Sequence, residues 1–130
     1  MLYLDSSAIV KLVDPEAETS ALVAALRPHE GRLSSVLARV EVGRAARRRA
    51  ESDALVERAY RLLARMTLVP IDAEVLSRAV DLPPFELGSL DAIHLATALL
   101  HRDDLDGLVT YDGRLAAAAR VAGIPVLAPA

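Results

Sequence analysis

Short apolar segments alternate with longer helix-like segments along this chain of 130 residues. The segments at 2–4, 68–71 and 108–111 are each followed by an aspartate that suits a helix N-cap. Short buried strands separated by helices are typical of parallel sheets, because the helices provide the crossover connections. The pattern therefore predicts an α/β fold with a short parallel sheet flanked by helices, organised as one domain over residues 1–130.

Turn and capping residues set the limits of the predicted elements. Strands are predicted at 2–4, 32–34, 68–71, 108–111 and 124–127. Helices are predicted at 6–13 and 16–26. Five further helices are predicted to end near 49, 66, 80, 101 and 122. Their N-caps, in the same order, are Ser34 or Ser35, Ser52 or Asp53, Asp72, Ser89 and Asp112. Pro70 cannot donate to a strand neighbour, so its strand is expected at an edge of the sheet.

Four acidic residues stand in strongly apolar surroundings: Asp5, Glu41, Asp91 and Asp112. Asp5 and Asp112 follow predicted strands directly, while Asp91 and Glu41 lie in the first turns of predicted helices. Functional sites of parallel α/β sheets form outside the carboxyl ends of the strands. We therefore expect the four side chains to converge at that edge of the sheet.

Carboxylates that share one pocket repel each other, by about 1–4 kcal/mol for a pair at ~4 Å. A bound Mg²⁺ or Mn²⁺ would relieve the repulsion, because hard divalent cations prefer oxygen ligands. Such a site would be suited to hydrolysis of phosphodiesters. Each carboxylate also has an ordinary explanation. Asp5 and Asp112 suit helix caps, Asp91 suits a helix N-terminus, and Glu41 suits a surface ion pair with an arginine of its helix.

Three further side chains have candidate roles beside these acids. Thr110 shares a strand face with Asp112 and would donate a hydrogen bond to a carboxylate, and Ser6 would orient Asp5. His94 lies one helical turn after Asp91 and has no second histidine at ligand spacing, so we interpret it as packed or as supporting the site from behind. Both hydroxyl residues also have an ordinary explanation: Thr110 suits a plain strand residue, and Ser6 suits a cap of the first helix.

The charge distribution bears on possible phosphate partners. Net charge is −3, but between positions 39 and 65 eight arginines face four acidic residues, a local excess of four positive charges. Arg44 and Arg48 share the helical face of Glu41, and Arg114 follows Asp112 closely. These arginines are candidate phosphate contacts, with a solvated face or a protein interface as the alternative.

The remaining totals exclude several classes of protein. The chain has no cysteine, so disulfides, thiolate metal sites and cysteine nucleophiles are excluded. The N-terminus lacks the basic start and apolar core of a signal peptide, and no apolar run approaches the ~20 residues of a membrane helix. These features agree with a cytoplasmic protein.

At these residues the chain resembles the PIN-domain ribonucleases, in particular the VapC toxins of VapBC toxin–antitoxin pairs. The matching segments are YLDSSAIVKL at 3–12, SSVLARVEVGRA at 34–45, DAIHLATAL at 91–99 and VTYDGRL at 109–115. They extend over nearly the whole chain, and DAIHLATAL is the strongest single match.

The resemblance implies that Asp5, Glu41, Asp91 and Asp112 form an acidic metal site supported by Thr110 and Ser6. It further implies Mg²⁺- or Mn²⁺-dependent cleavage of RNA, often tRNA, by water attack on phosphorus. Such proteins usually form homodimers and are neutralised by a small VapB antitoxin. By this analogy the arginines at 44–49 face either RNA or antitoxin.

Two other classes of function remain alternatives. The first is a non-catalytic module that uses the same fold to bind RNA or protein. The second is phosphoryl chemistry on a small molecule. A haloacid-dehalogenase-like phosphatase needs an aspartate where Ser7 stands, and a receiver domain needs a lysine after a late strand, which this chain lacks. The intact acidic set favours the nuclease interpretation over both.

Overall fold

The computed structural model describes residues 1–130, which form five strands, seven α-helices and one short 3₁₀-helix. The strands are β1 (Leu2–Leu4), β2 (Arg32–Ser35), β3 (Thr67–Val69), β4 (Gly107–Val109) and β5 (Val126–Leu127). The helices are α1 (Ser6–Val13), α2 (Thr19–Leu26), α3 (Leu37–Arg49), α4 (Asp53–Leu63), α5 (Ala73–Asp81), α6 (Ser89–Leu100) and α7 (Gly113–Val121), with the 3₁₀-helix at Arg102–Asp104.

All five strands are parallel and lie in the order β3-β2-β1-β4-β5. The chain first moves outward from β1 through β2 to β3, and then returns to the other side of β1 as β4 and β5. The order of the strands therefore reverses between β1 and β4. In parallel sheets a crevice opens at the carboxyl ends of the strands on either side of such a reversal.

Alternate side chains of β1 divide the core into two layers. Leu2 and Leu4 pack with buried residues of α1, α2, α3 and α4, whereas Tyr3 packs with buried residues of α6 and α7. This alternation follows from the two-residue repeat of a strand, and all three β1 side chains are fully buried because both faces of the sheet are covered. The predicted α/β fold, a parallel sheet flanked by helices, is confirmed.

Several predicted boundaries are wrong by a few residues. Helix α2 begins at Thr19 and not at Glu16, because the Glu16 N–H donates to Thr19 Oγ1 and the Thr19 hydroxyl donates to the Lys11 carbonyl, which holds a turn before the helix. Gly88, not Ser89, occupies the N-cap position of α6. Ser52 takes the N-cap position of α4 without a capping hydrogen bond from its side chain.

Two expectations about the sheet and one about membrane-spanning helices can be compared with the structure. Strand β3, which precedes Pro70, is an edge strand as predicted. Strand β4 ends at Val109, so Thr110 lies just beyond it, although the Thr110 N–H still donates to the Leu127 carbonyl. None of the helices combines the length and apolarity that crossing a membrane requires.

Candidate active site at the carboxyl edge of the sheet

Asp5 and Asp112 begin helices at the carboxyl ends of the neighbouring strands β1 and β4. Asp5 Oδ1 accepts a hydrogen bond of 3.0 Å from the Ala8 N–H, and Asp112 Oδ1 accepts bonds of 2.9 and 3.0 Å from the next helical N–H groups. Both residues are therefore helix caps, as the ordinary explanation requires. The capping hydrogen bonds are accepted by Oδ1 in each case, and Oδ2 takes no part in the cap.

Thr110 and Ser7 connect the two aspartates. The Thr110 hydroxyl donates to Asp5 Oδ2 at 2.6 Å and accepts from the Asp112 N–H at 3.0 Å. The Ser7 hydroxyl donates to Asp5 Oδ1 at 2.7 Å and accepts from the Tyr111 N–H at 2.9 Å. These bonds fix the geometry of the β1 and β4 strand ends relative to each other.

The Asp5 carboxyl is buried, with only 3% of the residue exposed. Burial raises its pKa above the ordinary aspartate value, although hydrogen bonds from Thr110, Ser7 and the Ala8 N–H counteract this effect. The group is therefore well hydrogen-bonded but poorly solvated. Binding of a cation to it would offset the cost of keeping its charge in an apolar setting.

The prediction that Ser6 orients Asp5 is wrong. Ser7 makes that bond, and the Ser6 hydroxyl donates instead to Glu41 Oε1 at 2.7 Å. The reason is helical geometry: Ser6 is the first residue of α1 and its side chain is on the side that packs toward α3. Glu41 is the fifth residue of α3, which begins after Val36 and not after the predicted N-cap Ser34 or Ser35.

Glu41 also accepts from His94, which is 2% exposed on α6. His94 Nε2 lies 2.6 Å from Glu41 Oε1, and His94 Nδ1 lies 2.7 Å from the Tyr3 hydroxyl oxygen. Burial alone would raise the pKa of Glu41, but hydrogen bonds from His94 and Ser6 outweigh burial and lower it. Glu41 is thus stabilised as a carboxylate by groups from two other helices.

Asp91 is the third residue of α6 and differs from the other acids. Burial raises its pKa, and the negative charges of Asp112, Asp5 and Glu41 raise it further, while His94 lowers it. No hydrogen bond contributes. Of the four predicted acids, Asp91 is therefore the one whose pKa responds to the charges of the other three. As the side chains stand, however, no three acidic or histidine residues are arranged to hold a metal ion.

The candidate phosphate-contacting arginines do not lie together. Arg48 lines a cavity of about 480 Å³ with Glu41, Lys11 and Tyr111. Arg44 lines a separate depression with Tyr60, so its proximity to Glu41 along the helix does not bring it to the same cavity. A third depression on the far side of α7, lined partly by Pro83 and Pro84, contains Arg114.

Other arginines near α3 already have acidic partners. Arg49 pairs with Asp14 at 2.9 Å and also with Glu16, while Arg47 pairs with Asp53. Arg48 is in none of these ion pairs. Of the two arginines that line the cavity with Glu41, Arg48 is therefore the one whose charge is free for a phosphate.

Sequence reasoning missed Ser7 and Tyr3. The Ser-Ser pair after Asp5 indicated that a hydroxyl would support the site, but the packing of α1 against α3 decides which serine reaches which carboxylate. Tyr3 lies within the apolar segment 2–4, for which the sequence predicts a buried strand. Its hydroxyl, buried behind His94, was a signal, because a buried tyrosine needs a hydrogen-bond partner.

Comparison with known proteins agrees with this geometry. Residues 2–121 match the family model of the PIN domain. The chain is 50% identical to ribonuclease VapC46 of Mycobacterium tuberculosis over 128 residues, which are 98% of this chain and 97% of that protein. It is 42% identical to ribonuclease VapC35 of the same species over 99% of this chain and 97% of the relative.

A solved structure shares the fold. A toxin–antitoxin complex from Klebsiella pneumoniae contains a chain that is 26% identical and superposes with a TM-score of 0.75, covering 100% of this chain and 98% of that one. The fold, the strand-end acids and these relatives define the class: the chain belongs to the PIN-domain family. Within that family it belongs with the VapC-type ribonuclease toxins.

Proposed function

We propose that this chain is a Mg²⁺- or Mn²⁺-dependent endoribonuclease toxin, with Asp5, Glu41, Asp91 and Asp112 as the metal-binding acids. The observation that carries the proposal is the placement of Asp5 and Asp112 at the ends of β1 and β4, joined through the Thr110 hydroxyl. The pKa of Asp91, which burial raises and the charges of Asp112, Asp5 and Glu41 raise further, supports it. We propose that residues 1–130 form one such domain.

The donor set suits a hard divalent cation, because it consists of carboxylates and hydroxyls without sulfur. Asp91 has no competing hydrogen bond, and Glu41 Oε2 and Asp112 Oδ2 receive none either. In our proposal the side chain of Asp91 turns inward when a cation cancels the repulsion from the other acids, whereas Glu41 is already held by Ser6 and His94. A bound cation would supply charge neutralisation and Lewis-acid activation for water and phosphodiester.

In the proposed reaction, the side chains of the protein orient the carboxylates and supply charge. In the proposed hydrolysis a water attacks phosphorus and the P–O bond to the leaving nucleoside breaks. Thr110 and Ser7 hold Asp5 while Ser6 holds Glu41, so that the carboxylates present fixed oxygens to the crevice. Arg48, in the cavity adjoining Glu41, would attract the neighbouring phosphate of the RNA strand.

The direct test is RNA cleavage by the purified protein freed of any antitoxin. Total RNA and purified tRNA, our proposed substrate class, are incubated with Mn²⁺ or Mg²⁺, with EDTA, or with the Asp91→Asn variant. We expect discrete fragments that disappear with EDTA and with the variant. Cleavage that persists equally in EDTA would overturn the metal-dependent mechanism.

The alternative is a non-catalytic module that binds RNA or protein through the same fold. A protein that retains RNA in a filter-binding assay, yet leaves every RNA intact with Mn²⁺ at high enzyme concentration, would support this alternative. The well-supported carboxylates favour the nuclease, because binding alone does not require four repelling acids at one crevice.

An antitoxin is the proposed regulatory partner. A groove of about 330 Å³ beside α4 combines apolar side chains with three arginines that make no ion pair in the structure: Leu12, Leu62 and Met66 with Arg58, Arg61 and Arg65. An acidic, amphipathic segment of a VapB-type antitoxin would fit its shape and charge. Co-expression with the adjacent small open reading frame, followed by pull-down with an Arg61→Glu/Arg65→Glu variant, tests this; unchanged capture would contradict it.

A homodimer is proposed from exposed apolar side chains of α5, of α7 and of the loop before α6. Phe85 is 80% exposed, Val121 81% and Val80 76%, which is unusual for isolated surface side chains of these types. Light scattering of the wild type and of Phe85→Asp measures the effect, and a wild-type mass of one chain at micromolar concentration would contradict the dimer. The proposed place of action is the cytoplasm.

A further inference from the structure

A chain of hydrogen bonds runs from the interior of the sheet to the acidic crevice. It begins at Tyr3, a fully buried residue in the middle of β1, and passes through His94 on α6 to Glu41 on α3. The three residues are distant in sequence, with separations of 91 and 53 residues for the two bonds. Their contact is therefore a product of the whole fold and not of one local motif.

The hydrogen atoms in this chain can be assigned by counting donors. Glu41 as a carboxylate only accepts, so the 2.6 Å bond requires a hydrogen on His94 Nε2. The Tyr3 hydroxyl has one hydrogen, and its 2.7 Å partner is His94 Nδ1. With the Tyr3 hydroxyl as the donor, His94 Nδ1 accepts that bond and Nε2 carries the hydrogen that is donated to Glu41.

The alternatives for Tyr3 are limited by its surroundings. The nearby hydroxyls already donate to backbone carbonyls, Ser34 to Leu4 and Thr97 to Ile93. They offer no stronger acceptor than an imidazole nitrogen, and no water-exposed route leads to the hydroxyl, because Tyr3 is 0% exposed. Burial also raises the pKa of Tyr3, so the phenol keeps its hydrogen.

The effect on Glu41 is specific to one oxygen. The His94 Nε2–H and the Ser6 hydroxyl both donate to Oε1, at 2.6 and 2.7 Å, and no donor of the protein reaches Oε2. Two donors on one oxygen fix the rotation of the carboxylate and leave Oε2 without a hydrogen-bond partner from the protein. Without them a glutamate at the surface of a helix would sample several rotamers.

We infer that Tyr3 and His94 are positioning residues for Glu41: the Tyr3 hydroxyl fixes the orientation of the His94 ring, whose Nε2–H in turn holds Oε1 so that Oε2 remains free for the metal. Neither residue touches RNA or the reacting atoms. The inference rests on the proposed metal site for its consequence, but the hydrogen-bond chain itself is a property of the metal-free protein. Ligating carboxylates commonly depend on such outer partners, whose loss costs roughly 10–100-fold in metal affinity or activity.

The first experiment measures the tautomer of His94 without any metal. Two-dimensional ¹⁵N–¹H spectra of the imidazole rings distinguish an Nε2-protonated ring from an Nδ1-protonated ring and from imidazolium. His94 is assigned by its loss in His94→Gln. We expect the Nε2-protonated pattern in the wild type and a shifted or averaged pattern in Tyr3→Phe, which keeps the ring and removes the hydroxyl. An imidazolium or Nδ1-protonated ring in the wild type would overturn the inference.

The second experiment measures Mn²⁺ binding by calorimetry in the same proteins. We expect Tyr3→Phe to weaken binding roughly 10-fold, and His94→Leu to weaken it more than His94→Gln, since glutamine retains an N–H near the position of Nε2. His101→Gln is the matched control, because His101 bonds to the Thr97 carbonyl and not to an acid. Equal affinities for wild type, Tyr3→Phe and His94→Leu would overturn the positioning role.

The two proposals fail in different ways. If Asp91→Asn abolishes cleavage while Tyr3→Phe leaves Mn²⁺ affinity unchanged, the nuclease stands and the positioning role is refuted. If the His94 tautomer is as expected but no variant binds or needs metal, the hydrogen-bond chain stands and the metal site is refuted. Thermal denaturation of each variant separates a loss of affinity from a loss of folded protein.

Discussion

The two sides of the acidic crevice are built differently. On the strand side, Asp5 and Asp112 are helix caps joined through Thr110, and short local bonds hold them. On the helix side, Glu41 depends on His94 from another helix, and Asp91 has no hydrogen bond that affects its pKa. The strand side is thus fixed by the backbone, whereas the helix side is set by long-range contacts and by charge.

This difference indicates a division of labour. A rigid strand side would define where a cation binds, and an adaptable helix side would respond to whether the cation is present. Capped, hydrogen-bonded carboxylates lose little freedom on binding a metal, because folding has already ordered them. The charges of the other three acids raise the pKa of Asp91. In our proposal a bound cation would relieve this repulsion.

The largest expected effect follows from removing the charge of Asp91. Asp91→Asn keeps the size of the side chain and removes one ligand charge from the helix side. We expect cleavage of RNA to fall about 1,000-fold or more, since metal-ion catalysis contributes several kcal/mol and each 1.36 kcal/mol is a factor of ten. Single-turnover cleavage with saturating Mn²⁺ measures this.

The control for that variant is Asp103→Asn. Asp103 is exposed in the 3₁₀-helix and belongs to no ion pair, so its loss of charge leaves the crevice unchanged. Both variants are compared by circular dichroism before the assay. A fully active Asp91→Asn protein would show that the helix side does not take part in the reaction.

An intermediate effect is expected on the strand side. Thr110→Val preserves shape but removes the donor to Asp5 and the acceptor for the Asp112 N–H. We expect activity to fall roughly 10–100-fold, with a loss of about 1–3 kcal/mol in the free energy of unfolding from the unsatisfied buried groups. Urea denaturation and cleavage rates measure the two losses.

Thr110→Ser and Thr67→Val test the cause of that effect. The serine variant retains the hydroxyl and should keep most of the activity, whereas Thr67, exposed on the edge strand β3, lacks any contact with the site. If Thr110→Ser is as impaired as Thr110→Val, packing of the methyl group is responsible and the strand side is not held by the hydroxyl.

The strand side was also the side that sequence reasoning predicted well. Asp5 and Asp112 stand directly after apolar strands and before helices, so period and capping rules place them at one edge of the sheet. Thr110 does donate to a carboxylate, but that carboxylate is Asp5 on the neighbouring strand end and not Asp112, whose side chain the two-residue repeat placed on the same face. Local rules sufficed because the contacts themselves are local or lie between adjacent strands.

The helix side could not be predicted in the same way. The Tyr3–His94–Glu41 chain joins residues up to 91 positions apart and depends on how α6 and α3 pack on opposite faces of the sheet. No periodicity within one element specifies that packing. The assignment of Ser6 to Asp5 was wrong for a related reason, since the direction of a side chain on the first turn of α1 is decided by its tertiary neighbour.

A smaller effect concerns the stability of the metal-free protein. The folded-state pKa of Asp91 is raised, so its ionisation costs stability as pH rises from the ordinary aspartate range, near 3.9, through the raised value. At neutral pH we expect metal-free Asp91→Asn to be about 0.5–1 kcal/mol more stable than the wild type, a modest figure because the group is partly solvated. At pH 3 the difference should vanish.

Saturating Mn²⁺ should reverse the sign of that difference. The wild type gains stability in proportion to the logarithm of metal concentration over its dissociation constant, and the variant gains less. Urea denaturation measures the free energy of unfolding in three conditions: pH 3 with EDTA, pH 7 with EDTA, and pH 7 with Mn²⁺. A variant that is less stable than the wild type in EDTA at pH 7 would show that Asp91 is not under repulsion.

The smallest expected effect distinguishes the arginines near the crevice. Arg48 adjoins Glu41 in one cavity, while Arg44 and Arg114 open into others. We expect Arg48→Ala to raise KM about 3–10-fold with little change in kcat, and to reduce the slope of affinity against salt by about one, as loss of a single phosphate contact does. Arg44→Ala and Arg114→Ala should change KM less, and Arg78→Ala, on the exposed face of α5, serves as the charge-matched control. Equal effects of Arg48→Ala and Arg78→Ala would mean that RNA affinity depends on the overall charge of the protein and not on a phosphate contact at Arg48.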